Sequence, residues 1–331
     1  MYQLKQVPED FIVKEISNVN SENNGQYACY ILKKTNCTTI DALQTLSKKF
    51  KIPLKHFGFA GNKDKNAVTE QKISIFRGSK DFENIRINKI ELEYAGNGDQ
   101  PISLGGLQGN NFTITIRNLD DEDIEKIKNL ESKKIKIPNI FGPQRFSKNN
   151  HSIGKAIIKR DFKKAIELIL ENNGQIEIYI KEYLERNRNN YIEALRLIPL
   201  KTRKLFVHSY QSFLFNRLVN EYLKMGNKAK NIKIPLIGFD FELSQIKSNE
   251  LKKLLKKTIE DEKIISRDFI VNQMPELASE GGFRDLFFEL KDLKVLEIAD
   301  DELNQNKRKA KINFSLPKSC YATTLLEYAF R

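Results

Sequence analysis

The period of the hydrophobic pattern changes twice along this chain, and that change limits its fold more than any single motif does. Up to about residue 120 the apolar residues fall mostly at strand spacing. Phe11 to Ile16, Gln26 to Lys34 and Lys72 to Phe76 are rich in β-formers, and Phe112-Thr113-Ile114-Thr115-Ile116 alternates at period two. One helix interrupts this stretch, Thr39 to Phe50, with Thr38 or Thr39 as its cap. From about Asp161 to Gly281 the spacing becomes three and four residues, over Asp161 to Glu171, Gln175 to Arg186, Tyr191 to Leu197, Lys201 to Met225 and Ser248 to Glu262. Strand spacing returns with Asp285 to Leu290, Lys294 to Ile298 and Lys311 to Leu316, and a short helix, Tyr321 to Phe330, follows. The pattern predicts an α+β fold: a mixed, mostly antiparallel sheet domain made from residues 1–160 and 282–331, interrupted by a mainly helical domain over 161–281. A chain of 331 residues is long enough for both, and no internal repeat or low-complexity linker intervenes.

Charge bears on the partner. Lys and Arg number 56 against 43 Asp and Glu, a formal net charge of +13, spread along the chain in pairs such as Lys48-Lys49, Lys163-Lys164 and Lys252-Lys253. Such pairs are also what solvated helix faces look like, so charge points to a polyanion without naming it. Cys29, Cys37 and Cys320 have no paired spacing, and His56, His151 and His208 are scattered, which argues against a disulfide framework or a metal centre. No apolar run reaches the ~18 residues of a membrane span and the opening residues carry no signal-peptide pattern, so a cytoplasmic protein is expected.

The segment Ala60-Gly61-Asn62-Lys63-Asp64-Lys65-Asn66-Ala67 sets one carboxylate between two lysines on a turn ahead of a strand. Cations on both sides favour the charged form of Asp64, which suits a nucleophile or a base. The same letters also describe an ordinary exposed turn, because Gly and Asn tolerate positive φ and Asp closes local turns. Local composition alone favours the turn.

Pro138-Asn139-Ile140-Phe141-Gly142-Pro143-Gln144-Arg145-Phe146 combines an amide, aromatics and an arginine between Pro and Gly residues. Amides read base edges and aromatic faces stack on unstacked bases, the usual means of recognising single-stranded RNA. A Pro-Gly turn whose phenylalanines plug a core is the competing reading, and it is preferred for Phe146. Phe11, at the entry to a strand, reads as a core residue when taken alone. His208 lies on a helix with a buried Phe and Leu stripe and lacks partners at the spacing of a triad. Gly105-Gly106-Leu107-Gln108-Gly109 has no nucleotide-binding fingerprint and reads as a bend into the strand at Phe112.

Taken together and in order, PEDFIVKEI, FGFAGNKDKNAVTEQ, GNNFTITIRN, PNIFGPQRF, SYQSFLFN and LPKSCYATTLLE resemble the TruD family of tRNA pseudouridine synthases over residues 8 to 327. The resemblance implies a pseudouridine-synthase catalytic domain interrupted by a TruD-type insertion, with Asp64 as the catalytic carboxylate. It further implies that Phe11, Asn139 and Tyr321 line the uridine pocket, that Phe141 lies beside the carboxylate, and that Lys5 matches a basic residue ahead of the first motif. Lys63 and Lys65 would keep Asp64 charged or hold phosphates, one of them pointing to solvent. Two positions depart from the family pattern: Tyr321 stands where some members carry phenylalanine, and Ser147 where glycine often follows the motif, so the turn there is expected to differ. The absence of large insertions points to a compact bacterial or archaeal member.

The implied activity is that of an isomerase, an intramolecular transferase that converts uridine to pseudouridine, at uridine 13 of tRNA, without a cofactor or a metal. The expected partner is tRNA, bound by a monomer. Two alternatives stand beside it: the same reaction at another uridine, such as one in the anticodon loop, and a non-catalytic tRNA-binding protein.

Overall fold

The computed structural model describes residues 2–17, 25–82, 85–131, 135–226, 231–318 and 320–330; Ser319, within the last family-like segment, lies outside them. Among these residues the strands are β1 (Phe11–Ile16), β2 (Tyr27–Thr35), β3 (Phe57–Phe59), β4 (Val68–Phe76), β5 (Ile85–Ile87), β6 (Ile90–Gly98), β7 (Gly109–Leu119), β8 (Ile135–Pro138), β9 (Lys233–Leu236), β10 (Gly282–Asp285), β11 (Phe287–Asp300) and β12 (Arg308–Pro317). The α-helices are α1 (Thr39–Phe50), α2 (Asp121–Glu131), α3 (Asn150–Ile158), α4 (Phe162–Ile169), α5 (Gln175–Arg186), α6 (Tyr191–Arg196), α7 (Leu200–Lys224), α8 (Asn249–Glu262) and α9 (Ala322–Ala329).

Two compact units emerge, one made of Met1–Ile137 with Glu289–Arg331 and the other of Pro138–Phe288. In the first, the sheet runs β5-β6-β2-β4-β1-β7-β12-β11-β8, with β3 attached to β4. β1 and β4 are parallel, while β7 pairs antiparallel with both β1 and β12. The alternation seen in the sequence sends Phe112, Ile114 and Ile116 of β7 to the interior, together with Ala310, Ile312, Phe314 and Leu316 of β12. Phe112 and Phe314 are register partners with stacked rings 5.5 Å apart, a cross-strand pair that helps to set that register. Helix α1 starts at a capping box between Thr38 and Asp41 and ends at Lys51 in the left-handed conformation. Its Ala42, Leu43 and Leu46 cover Tyr30, Leu32, Ile73 and Ile75 of the sheet.

The second unit is built around α7, where Phe206, Tyr210, Leu214, Phe215 and Leu218 are buried. Helix α3 lies so close to it that a Cβ on Gly154 would stand 2.0 Å from the Phe206 carbonyl oxygen. Glycine is what permits that approach. Side-chain caps begin α4 at Asp161 and α8 at Ser248, and β9 and β10 form a separate two-stranded ribbon.

Compactness divides the chain at 138 and 288, whereas the pattern changes at 161 and 281. The physical reason is that α3 packs on α7 and that the segment before it is tied inside the second unit, with Asn139 N donating to Leu286 O at 2.8 Å. The two strand segments expected over 285–298 are largely one strand, β11, which stays paired with β12 through register shifts between Lys291 and Lys294 and between Val295 and Glu297. Bulges let the ladder continue across the polar interruption that had looked like a break. Helices α2 and α3 and strand β6 were not anticipated.

Candidate active site

The loop between β3 and β4 carries Asp64, and its backbone is fastened at several points. Gly105 N donates to Ala60 O at 2.8 Å and Gln71 Nε2 to Gly61 O at 3.1 Å. Thr39 Oγ1 accepts from Lys63 N at 2.9 Å and itself donates to Gln71 Oε1 at 2.9 Å. Lys34 Nζ donates to Asp64 O at 2.8 Å and to Cys37 O at 2.7 Å. Lys34 is 1% exposed, and burial pulls the pKa of its ammonium below the ordinary lysine value. With the main chain held in this way, the reach of the Asp64 side chain is set by its own rotamer.

That side chain is 44% exposed, and its Oδ2 lies 2.6 Å from Lys5 Nζ. Lys5 takes a left-handed φ of 58° ahead of the turn into β1, and its Nζ sits 4.0 Å from the centroid of the Phe11 ring. Asp64, Lys5 and Phe11 thus form one contact group, in which a lysine is shared between a carboxylate and an aromatic face. Phe11 is buried and meets Phe112 edge-on at 6.0 Å, so it is a core residue and the floor of this group at once.

Lys63 faces the other way. Its Nζ is 2.7 Å from Glu15 Oε2, with the two side chains 6% and 1% exposed. An ammonium at that depth needs a carboxylate partner, so Lys63 ties the loop to β1; the expectation that it attends Asp64 or a phosphate is corrected. Lys65 is the lysine that faces solvent. Tyr321 belongs to the same unit, partly buried at the N-cap of α9.

Asn139 and Phe141 are in the second unit. Asn216 brackets the Phe141 backbone, accepting from its N at 2.8 Å and donating to its O at 2.9 Å. The Phe141 ring is buried and meets Phe215 edge-on at 5.5 Å, and the Arg284 guanidinium lies 4.3 Å from its centroid. Arg284 also donates to the Asn139 main-chain oxygen at 2.9 Å and to its Oδ1 at 2.5 Å. Phe146 is partly exposed, with its ring edge-on to His151 at 5.9 Å, and so is not the core plug expected of it. Ser147 takes a φ of 45°, the region that favours glycine, so a left-handed turn forms there without one. At His208, burial first and then Arg145 and Lys204 lower the imidazole pKa.

Sequence reasoning missed Lys34, Thr39, Gln71, Asn216 and Arg284. For Lys34 a signal existed: Ala28, Tyr30 and Leu32 are the inward residues of β2, and period two carries Lys34 to the same face. Arg284 had none, because Asn139, to which it donates, lies 145 positions away in the chain. Among the described residues no His, Cys, Asp and Glu group could hold a metal ion, and no helix is long and apolar enough to cross a membrane.

Comparison with known proteins completes the assignment. The family model for tRNA pseudouridine synthase D (TruD) matches residues 2–182, 169–233 and 222–328. A protein of Methanocaldococcus jannaschii named probable tRNA pseudouridine synthase D 2 is 31% identical over 99% of this chain and 91% of its own. The tRNA pseudouridine synthase D of Aquifex aeolicus is 28% identical over 99% of this chain and 98% of its own. The crystal structure of the protein described as putative tRNA pseudouridine synthase D (TruD) from Methanosarcina mazei superposes with a TM-score of 0.75 at 28% identity, covering 98% of this chain and 92% of that one. The α+β fold with its mostly antiparallel sheet is therefore that of the pseudouridine synthases, and the chain belongs to the tRNA pseudouridine synthase D (TruD) family.

Proposed function

We propose that this protein isomerises uridine 13 of tRNA to pseudouridine in the cytoplasm, with Asp64 as the reacting carboxylate. Residues 1–160 and 282–331 are assigned to the synthase domain and 161–281 to the TruD-type insertion. The observation that supports this reading best is the state of Asp64: a reachable carboxylate on a loop whose backbone is otherwise pinned, paired to a lysine that rests on Phe11. The reaction breaks the C1′–N1 bond, turns the base and rejoins it through C5. A carboxylate held at the sugar can serve it as a nucleophile at C1′ or as a base at C2′.

Flipping a stacked uridine out of a folded tRNA costs a few kcal/mol. Stacking on an aromatic side chain returns about 1–3 kcal/mol per base. Phe11, Phe141 and Tyr321 are the residues assigned to that compensation, Asn139 to the base edge, and Lys5 to pairing with Asp64. The spread of lysines along the chain suits contacts to tRNA phosphates, which position the substrate without reading its sequence.

The test is incubation with unmodified tRNA, followed by mapping of pseudouridine by carbodiimide treatment and primer extension. Wild type should produce one stop at position 13, and Asp64→Asn should lower turnover on the order of 10⁴-fold. Product formed by Asp64→Asn at the wild-type rate would refute its role. A stop elsewhere would move the site, and no product on any RNA would leave a binding protein. Phe141→Ala should slow turnover, and full activity in that variant would remove Phe141 from the site.

A further inference from the structure

Arg284 stands on β10 opposite Ile234 of β9, and its guanidinium reaches both second-unit residues assigned above to the substrate. Nε donates to the Asn139 main-chain oxygen and Nη2 to Asn139 Oδ1, while Cζ lies over the Phe141 ring and, at 5.7 Å, near that of Phe215. The residue that follows β10 also holds the backbone, since Asn139 N donates to Leu286 O. One side chain thus fixes the main chain, the amide and the neighbouring ring.

A guanidinium has donors only. The Asn139 amide therefore has a single orientation compatible with it, Oδ1 towards Arg284 and Nδ2 away. An amide nitrogen carries two N–H groups, so one contact inside the protein still leaves a donor for a base. At its 4-position uracil presents an acceptor oxygen, whereas cytosine presents a donor amino group. A fixed donor there accepts the first and leaves the second facing another donor.

We propose that Arg284 is a positioning residue for uridine selection: it holds the Asn139 amide with its NH2 presented to O4 of the target uracil and braces the Phe141 ring. This rests on the reading that Asn139 and Phe141 contact the substrate. An arginine is suited to the task because its planar fork makes two directed bonds and still offers a face to an aromatic ring, which an ammonium cannot do.

Full-length Arg284→Ala, Arg284→Lys and Asn139→Asp enzymes, assayed on an unmodified tRNA transcript, test the proposal. Misplacement of a contact residue predicts a fall of ~10²-fold in kcat for Arg284→Ala, with KM for tRNA within about twofold of wild type. Added guanidinium ion should restore about tenfold of that loss, where equal sodium chloride or methylammonium should not. Arg284→Lys should stay low. Asn139→Asp still accepts from Arg284, as a charge-assisted pair, and should keep its melting temperature; lacking the donor, it should lose kcat to a similar degree. Replacing the target with 4-thiouridine weakens the same hydrogen bond, so it should slow wild type and leave Asn139→Asp unchanged.

Wild-type turnover by Arg284→Ala or Asn139→Asp would overturn the proposal. So would a loss in Arg284→Ala that tracks a lower melting temperature and ignores guanidinium, or an equal 4-thiouridine effect in wild type and Asn139→Asp. If Asn139→Ala is impaired while Arg284→Ala is not, the inference alone fails. If Asn139→Ala and Phe141→Ala both turn over like wild type, the substrate role of these residues fails with it.

Discussion

Around Arg117 three carboxylates converge on a buried guanidinium, whereas at Asp64 a single lysine faces a carboxylate that is 44% exposed. Both groups lie in the first unit, and both involve the short segment ahead of β1. Arg117 meets Asp10 at 2.8 Å, Asp301 at 2.8 Å and Glu302 at 3.1 Å, and so joins the turn before β1, strand β7 and the loop between β11 and β12. Asp301 also accepts from Asn118 N and Leu303 N, and from Asn304. A carboxylate with that many donors is a structural part. Among the described residues Asp64 has one ion-pair partner, Lys5, and its exposed side chain can part from that lysine at little cost. The difference between the two regions lies in the number of fixed donors per carboxylate, and the neighbours Lys63 and Asp64 repeat it on one loop, the first tied to Glu15 in the interior and the second turned outward.

The largest effect expected from breaking this contrast is on folding at Arg117. Arg117→Met strands Asp10 and Asp301 as buried charges and should lower unfolding stability by about 3–5 kcal/mol in a urea titration. Lys63→Met should cost a similar or smaller amount for the same reason, leaving Glu15 buried without its cation. A loss below 1 kcal/mol in either variant would mean that the network relaxes around the gap.

Burial pushes the Asp301 carboxyl up, but the donors on it from Asn118, Asn304, Leu303 and Arg117 override that and hold it at about 2, against an ordinary 3.8. A folded pKa below the unfolded one means that the unfolded chain binds more protons between those values. The stabilisation is complete above about 3.8 and is lost as pH falls towards about 2. The melting temperature should therefore drop over that window, and Asp301→Asn should flatten the drop while lowering the plateau at neutral pH. An unchanged acid limb in Asp301→Asn would assign the transition to other groups.

The smallest stability effect belongs to the Asp64 side. Lys5→Met removes a partly exposed pair and should change unfolding free energy by about 0–1 kcal/mol, while turnover falls clearly. If stability fell as far as in Arg117→Met, Lys5 would be a strut of the same kind as Arg117.

Legibility in the sequence followed the range of the interaction. Helix α1 was readable to the residue because its cap, its apolar stripe and its end lie within one short segment. Strand β1 was equally clear, and helices α5 and α7 were placed within a residue. Helix α2 was missed because its polar residues outnumber its buried stripe of Ile124, Ile127 and Leu130, and β11 was split because a bulge looks like a stop. The site was legible only as a set of motifs. Nothing local separates Asp64 from an exposed turn or tells that Lys63 and Asp64 point to opposite environments.

Period and composition alone determined that strands from both ends of the chain flank a helical middle, because spacing of two or of three to four decides which face of a segment can be buried. The ordered motifs singled out Asp64, Asn139 and Phe141. Tertiary structure decided what those residues can do. Lys34 of β2 pins the Asp64 carbonyl, Glu15 takes Lys63 inward, and Arg284 turns the Asn139 amide. Each of these bonds joins residues tens to more than a hundred positions apart, and a hydrogen bond of that kind has no signature in either partner's neighbourhood until the fold brings the two together.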